Sequence, residues 1–394
     1  MKKINFNNLF FNSVLELKKN NLYRNLRSIE RGNFTKIKYN GNNLLNFSSN
    51  DYLGLSQNNF IKNNTIKIIK KYGIGSGSSR LVSGNFDLHE NIEKIIARKK
   101  NTESALVFST GYLVNYSVLS TILNSGIFKN PIVFSDKLNH QCIYEGCKDK
   151  RINFVRFRHN DMNHLEFLLK KNKNKNNEKF ILSETIFSMD GDFADIKNLI
   201  ILKKKYNCFL FLDEAHATGV YGKNGFGLSS EFSKDIDCVT GTFSKALGSF
   251  GGYVACSNKL KLFLINKCPS FIYSTSLPFS LLASIKSSLQ IISKLKKERK
   301  KLINNSYYFR KILKNYGFNI GSSQTHIIPI IIGNPLKTLN ASKKLINKGF
   351  YIISIRPPTV NLASSRLRLS LSCLHTKKNI KDLFNSLKLI KKSF

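Results

Sequence analysis

The sequence predicts an α/β protein with a mainly parallel central sheet, preceded by an N-terminal arm and followed by a smaller α+β domain. Three observations lead there. From about residue 48 to 285, apolar β-rich runs alternate with stretches of helical periodicity, the pattern of a sheet covered by helices. Three of those runs end in polar residues, Glu184, Asp213 and Thr242, where an open parallel sheet presents its ligand crevice. Beyond residue 285 the alternation stops, which sets expected boundaries of 1–47 for the arm, 48–285 for the large domain and 286–394 for the small one.

Taken in order, Val14-Leu15-Glu16-Leu17 places a helix in the arm, and the residues around Asn40-Gly41 read as two strands joined by a tight turn. The strands of the large domain are expected at 104–108, 132–134, 180–182, 208–212, 238–239 and 252–255, with helices at 89–98, 165–170 and 196–206. The charged, low-complexity run 170–179 reads as a solvated loop. A long basic helix is expected over about 280–315, then strands at 327–332, 351–355 and 367–371 and helices near 337–348 and 377–391.

Composition narrows the classes. A chain of 394 residues with 42% hydrophobic content buries a large core, and no run approaches the roughly 18 apolar residues of a membrane span. The first residues lack an uninterrupted apolar core and a small-residue cleavage site, so a cytoplasmic setting is expected. The seven cysteines are scattered and form no Cys-x-x-Cys pair, and His159 and His164 have no cysteine partners, so no metal site is expected. The net charge of +39 is spread along the whole chain beside heavy Asn and Ile usage, as an AT-rich coding sequence produces. It does not form the basic patch of a nucleic-acid reader, and neither nucleic acid nor membrane is an expected partner.

The chemistry is concentrated in two residues. Asp213 ends an apolar strand in Phe-Leu-Asp-Glu-Ala-His, and Lys245 follows 32 positions later (245 − 213) in Thr-Phe-Ser-Lys-Ala-Leu-Gly-Ser. A lysine among small residues can form a Schiff base with the aldehyde of pyridoxal phosphate, and a strand-end carboxylate can keep the pyridine nitrogen protonated. Asp-Glu-Ala-His is also the metal-binding box of one helicase group, but the phosphate loop such an enzyme needs is missing. The glycine-rich run 73–80 is no dinucleotide fingerprint, because Arg80 stands where the third glycine belongs and a helical stretch precedes it.

Together with Asn46-Phe-Ser-Ser-Asn-Asp-Tyr-Leu-Gly-Leu, Ser109-Thr-Gly-Tyr, Phe187-Ser-Met-Asp-Gly-Asp and Ile355-Arg-Pro-Pro-Thr-Val, these motifs occur in an order and spacing that resembles the α-oxoamine synthases, a fold-type-I pyridoxal-phosphate family. The likeness runs from about Arg24 to the C-terminus. It implies that Lys245 carries the cofactor, Asp213 pairs with the ring nitrogen, His140 stacks on the ring, and Ser188 and His216 bond the ring hydroxyl. Gly111 and Tyr112 would offer backbone N–H groups to the phosphate at a helix start, with Thr242 adding a hydroxyl and Thr275 another from a partner subunit. Arg368 would grip the amino-acid carboxylate with its planar fork, helped by Asn50, while Arg24, with Arg27 as neighbouring alternative, and Thr359 would bind substrate. The chain departs from the family pattern at Asn361-Leu-Ala-Ser-Ser, where a proline and a glycine are usual.

The activity so implied is a decarboxylative condensation of L-alanine with a pimeloyl thioester, carried on coenzyme A or a carrier protein, in a homodimer. Three alternatives are a sister enzyme using glycine or serine with another acyl-CoA, an ordinary aminotransferase, and a basic nucleic-acid-binding protein.

Overall fold

The structure, a computed structural model, describes residues 5–33, 35–173 and 177–394. Strands β1 (Glu30–Arg31), β2 (Lys36–Tyr39) and β3 (Asn42–Asn46) come first. The next seven are β4 (Ser104–Phe108), β5 (Ile132–Asp136), β6 (Asn153–Phe157), β7 (Lys179–Glu184), β8 (Cys208–Asp213), β9 (Cys238–Thr242) and β10 (Gly252–Cys256). The last four are β11 (Ile327–Gly333), β12 (Phe350–Tyr351), β13 (Ser354–Ile355) and β14 (Ser365–Ser370). Two compact units result. The larger comprises Asn50–Ser188 and Asp192–Leu302; the smaller comprises the segment through Ser49, Met189–Gly191 and Ile303–Phe394. The three successive segments expected from sequence therefore differ from the compact units. The arm and hairpin group with the C-terminal residues because β12 pairs in parallel with β3, and the division falls after Leu302, inside the helix Lys296–Asn315.

The larger unit is built on a seven-stranded sheet in the order β4-β10-β9-β8-β7-β5-β6. Its strands run parallel from β9 to β6, and β10 is antiparallel to both its neighbours. Side-chain alternation splits each strand between two cores. Val133, Phe180, Leu182 and Phe211 face the helices Gly111–Asn124 and Asn258–Lys267, while Ile132, Phe134, Ile181, Leu210 and Leu212 face Met162–Lys171 and Ile196–Tyr206. Full burial of each such side chain contributes roughly 1.5–3 kcal/mol. The helix Ile196–Tyr206 ends in Lys203, Lys204 and Lys205, suited to its negative end, and stops at Asn207, whose φ of 48° is the left-handed conformation of a C-cap.

β6 was not expected from the sequence. It is the edge strand, exposed at Asn153 and Arg156, and lacks the continuous apolar run of a buried strand. The expected helix over 280–315 is two helices, Phe279–Ile291 and Lys296–Asn315, separated by a tighter turn at Ile292–Lys294. Of the loop expected over 170–179, residues 174–176 lie outside the described residues; a helix runs to Lys171 and β7 starts at Lys179.

In the smaller unit, Asn40 and Gly41 both have positive φ, 47° and 79°, which closes the β2–β3 hairpin with the twist its strands need. The expected strand 351–355 is two strands in two sheets, since β12 joins β3 whereas β13 joins β14. Phe47 stacks on His375 at 4.0 Å with the rings 3° from parallel. Among the described residues, no helix is long and apolar enough to cross a membrane.

His159 supplies a pH-sensitive element of the larger unit. Its Nδ1 lies 2.9 Å from Asp136 Oδ1 and its Nε2 2.8 Å from Asp192 Oδ2, with Phe187 packed edge-on at 4.4 Å. Burial alone would lower its basicity, but the hydrogen bonds and charges of the two aspartates outweigh this and raise the pKa to about 10. A folded-state pKa above the unfolded value means that the stabilisation is full below about pH 6.5 and is lost as the pH climbs through about 10. His159→Gln should therefore cost about 3 kcal/mol near neutral pH, by leaving two buried carboxylates without a cation, and should flatten the alkaline fall in stability. Urea unfolding at several pH values checks this; parallel curves for the two proteins would refute it.

Candidate active site

The carboxyl ends of β7, β8 and β9 place polar groups in one corner of the larger unit. Asp213, 4% exposed, ends β8 and takes two donors: Asn115 Nδ2 at 2.6 Å on one oxygen and the Ala215 N–H at 2.8 Å on the other. Asn115 is held in turn by Thr240, whose hydroxyl donates to Asn115 Oδ1 at 2.5 Å. These contacts fix the carboxylate in place. Glu214 does different work. It forms a buried ion pair with Lys100 and accepts from the Ser229 N–H at 2.8 Å and the Ser229 hydroxyl at 2.7 Å, so it anchors the strand end.

Lys245 sits in the loop between β9 and β10, closed by Gly248 N–H to Lys245 O at 3.0 Å and Ser249 N–H to Phe243 O at 2.9 Å. Its Nζ lies 2.8 Å from His216 Nε2, and His216 Nδ1 lies 2.6 Å from the hydroxyl of Tyr52, which is fully buried and reaches Asn50 Oδ1 at 3.0 Å. The four side chains form one line. With Tyr52 donating to Asn50, His216 carries its proton on Nδ1 and accepts from the lysine through Nε2. Because a tyrosine hydroxyl also donates to an imidazole nitrogen, the line can reverse and leave Nε2 as a donor.

His140 caps the short helix Gln141–Gly146, its Nδ1 accepting from the Cys142 N–H at 3.2 Å. The ring is open on its outer side, and Tyr112 meets it edge-on with centroids 6.4 Å apart. Crowding by protein on its inner side lowers its basicity, Asp213 opposes this, and Lys245 reinforces it. The neighbouring helix Gly111–Asn124 begins with Thr110, whose hydroxyl accepts from the Leu113 N–H at 2.9 Å, so Gly111 and Tyr112 are the two helical residues ahead of that bond. A Cβ at Gly111 would lie 2.9 Å from the Cβ of Thr242 and 3.0 Å from its hydroxyl. A bare backbone turn, a helix N-terminus and a threonine hydroxyl thus form a cradle that suits a phosphate. With an anchored carboxylate, a lysine and an open imidazole beside it, the donor set fits pyridoxal phosphate.

The remaining expected residues are less closely knit. Ser188 is buried beyond the end of β7. Thr275 is exposed, and its backbone forms an isolated bridge with Ser79. In the smaller unit, Arg368 lies in β14 and donates through Nη1 to Ser370 Oγ at 2.8 Å, whereas Arg366 pairs with Asp190 at 2.7 Å. Arg24 Nη2 donates to the Pro357 carbonyl at 2.8 Å, Arg27 Nη1 is buried without a hydrogen-bond partner among the described residues, and Thr359 is exposed. Sequence reasoning assigned nothing to Tyr52 or Asn115. Tyr52 lay inside a quoted motif, while Asn115, on a helix 98 positions before Asp213, left no signal.

A sequence model of the family described as aminotransferase class I and II matches residues 42–387. A Bacillus cereus protein named "Putative 8-amino-7-oxononanoate synthase" is 43% identical over 91% of this chain and 90% of its own. Among solved structures, a serine palmitoyltransferase from S. paucimobilis with a bound adduct of PLP and myriocin superposes with a TM-score of 0.90 at 25% identity, over 99% of both chains. The 8-amino-7-oxononanoate synthase of Francisella tularensis does so with a TM-score of 0.76 at 25% identity, over 89% of this chain and 98% of its own. On these likenesses the chain belongs to the class I and II aminotransferase family as a pyridoxal-phosphate-dependent α-oxoamine synthase.

Proposed function

We propose that this α-oxoamine synthase condenses L-alanine with a pimeloyl thioester, releasing carbon dioxide and yielding 8-amino-7-oxononanoate for biotin synthesis. The observation that carries the reading is the high identity, over nearly the whole of both chains, to the Bacillus protein of that name. Seven free, buried cysteines support a cytoplasmic setting.

When bound, pyridoxal phosphate supplies an electron-withdrawing ring that lets the amino-acid α-carbon lose first a proton and later a carboxylate. In our reading, Lys245 Nζ would attach the cofactor and, as a free amine, would take the α-proton and return it at the end. Asp213 holds a proton on the ring nitrogen. His140 covers the ring face, and Ser188 and His216 bond its hydroxyl. Gly111, Tyr112 and Thr242 hold the phosphate, with Thr275 contributed by the second copy of a homodimer. Arg368 and Asn50 take the alanine carboxylate and so set which α-carbon bond breaks. Arg24 and Thr359 receive the acyl substrate.

A second reading, serine or glycine with another acyl-CoA, draws support from the closer superposition on serine palmitoyltransferase. Carbon dioxide release from alanine, glycine and serine, each with pimeloyl, acetyl, succinyl and palmitoyl thioesters, separates the two. Alanine with pimeloyl is the expected best pair, favoured over glycine by about 1–3 kcal/mol because a pocket reads one methyl only that strongly. Any other best pair overturns the proposal in favour of a sister enzyme.

A further inference from the structure

Glu184 ends β7 as Asp213 ends β8, and the parallel register sets the two directly opposite each other. Register partners on adjacent strands project from the same face, so two carboxyl groups, 2% and 4% exposed, share one buried corner. Their surroundings are unequal. Asp213 has the Asn115 amide and the Ala215 N–H, one on each oxygen. Glu184 takes the backbone N–H of His140 at 2.6 Å on Oε1. That bond, with Asn139 Nδ2 to the Leu182 carbonyl at 2.8 Å, pins the loop leading out of β5 onto β7, and His140 stands at its end.

We propose that Glu184 is a positioning residue: it stands beside Asp213 as a neutral acid and holds the backbone of His140. The inference rests on the reading of Asp213 and His140 as partners of the cofactor ring. Two like charges in a dry corner repel, which disfavours the charge on Glu184. Burial, and then the Asp213 charge, push Glu184 well above the ordinary glutamate range, with Asp136 adding to the shift; Lys245 and the His140 N–H pull the other way. Those groups, with Cys142 on the helix after His140, are the titratable neighbours around it. Neutral Glu184 still accepts from His140 through its carbonyl oxygen. His140 is thus fixed twice, its backbone by Glu184 and its ring by the Cys142 N–H.

The test uses the holoenzyme with Glu184→Gln and Glu184→Ala. Glutamine keeps the acceptor for the His140 N–H and adds no charge, whereas alanine releases it. Glu184→Ala should lower kcat about tenfold, leave KM for the amino acid little changed, and alter the absorbance of the bound cofactor; Glu184→Gln should recover most of the lost kcat. Difference infrared spectra of wild type against Glu184→Gln near pH 7 should show the loss of a protonated-carboxyl carbonyl band. A glutamine variant as slow as the alanine one, or a missing band, overturns the proposal. If Glu184→Ala does not fold, the glutamine kinetics and the infrared band decide. Asp213→Asn with wild-type α-proton exchange would overturn the underlying reading. A missing band together with a slowed Asp213→Asn would overturn only the role given to Glu184.

Discussion

Lys245→Ala is expected to abolish multiple turnover. In the proposed reading the lysine both attaches the cofactor and moves the α-proton, and loss of the proton-transfer role alone costs about 10²–10⁴-fold. The hydrogen bond from Nζ to His216 adds a second expectation, because His216 keeps Tyr52 and Asn50 on its other side and should stay in place when the lysine is truncated. The variant should therefore still fold and bind pyridoxal phosphate without turning over. Borohydride reduction of the wild-type protein, followed by peptide mapping, should find the label on the peptide containing residues 242–249. A label elsewhere, or turnover by the alanine variant, would sink the assignment.

Asp213→Asn should produce the second-largest loss. In the proposed reading the change removes the charge that would hold the ring nitrogen protonated, and a close opposite charge is worth about 1–3 pKa units, or about 10–10³-fold in α-proton exchange. The structure adds a local conflict. Both oxygens of Asp213 accept hydrogen bonds, from Asn115 and Ala215, so an asparagine must turn an NH₂ toward one of these donors. Asn115 cannot simply flip to suit it, since its own oxygen already accepts from Thr240. A loss of about 1–3 kcal/mol in stability is expected beside the kinetic loss. Exchange of the α-proton of alanine in deuterated buffer, measured against the dissociation constant of the cofactor, separates the effects. Exchange should fall much further than cofactor affinity.

Much of this was legible in the sequence because the signals were local. Strands such as 104–108 and 208–212 are continuous apolar runs bounded by polar residues, and buried parallel strands announce themselves that way. Asp213 and Lys245 were visible because each is charged in an apolar or small-residue setting that disfavours charge. What the sequence hid depends on pairing. The edge position of β6 removes the need for apolar residues on both faces, so Asn153-Phe-Val-Arg-Phe carries no strong pattern. The apolar run 350–355 does not reveal that the chain leaves one sheet and enters another within it. The link from Tyr52 to His216 spans 164 positions and exists only after the sheet has formed, as does the register that sets Glu184 against Asp213.

The parallel pairing of β3 with β12 ties the smaller unit to the order in which the chain is made. Leu45 lies opposite Phe350, a separation of 305 residues (350 − 45). At about 5–20 residues per second on the ribosome, the β2–β3 hairpin waits about 15–60 s for its neighbouring strand to be synthesised. All of the larger unit, which ends at Leu302, emerges within that interval and can collapse around its own sheet first. Throughout the wait one side of β3 is an unpaired edge, open to any extended segment that reaches it, on this chain or another. The nascent protein is most exposed to mispairing and to chaperone capture in this window, and synthesis of Phe350 and Tyr351 brings it to an end.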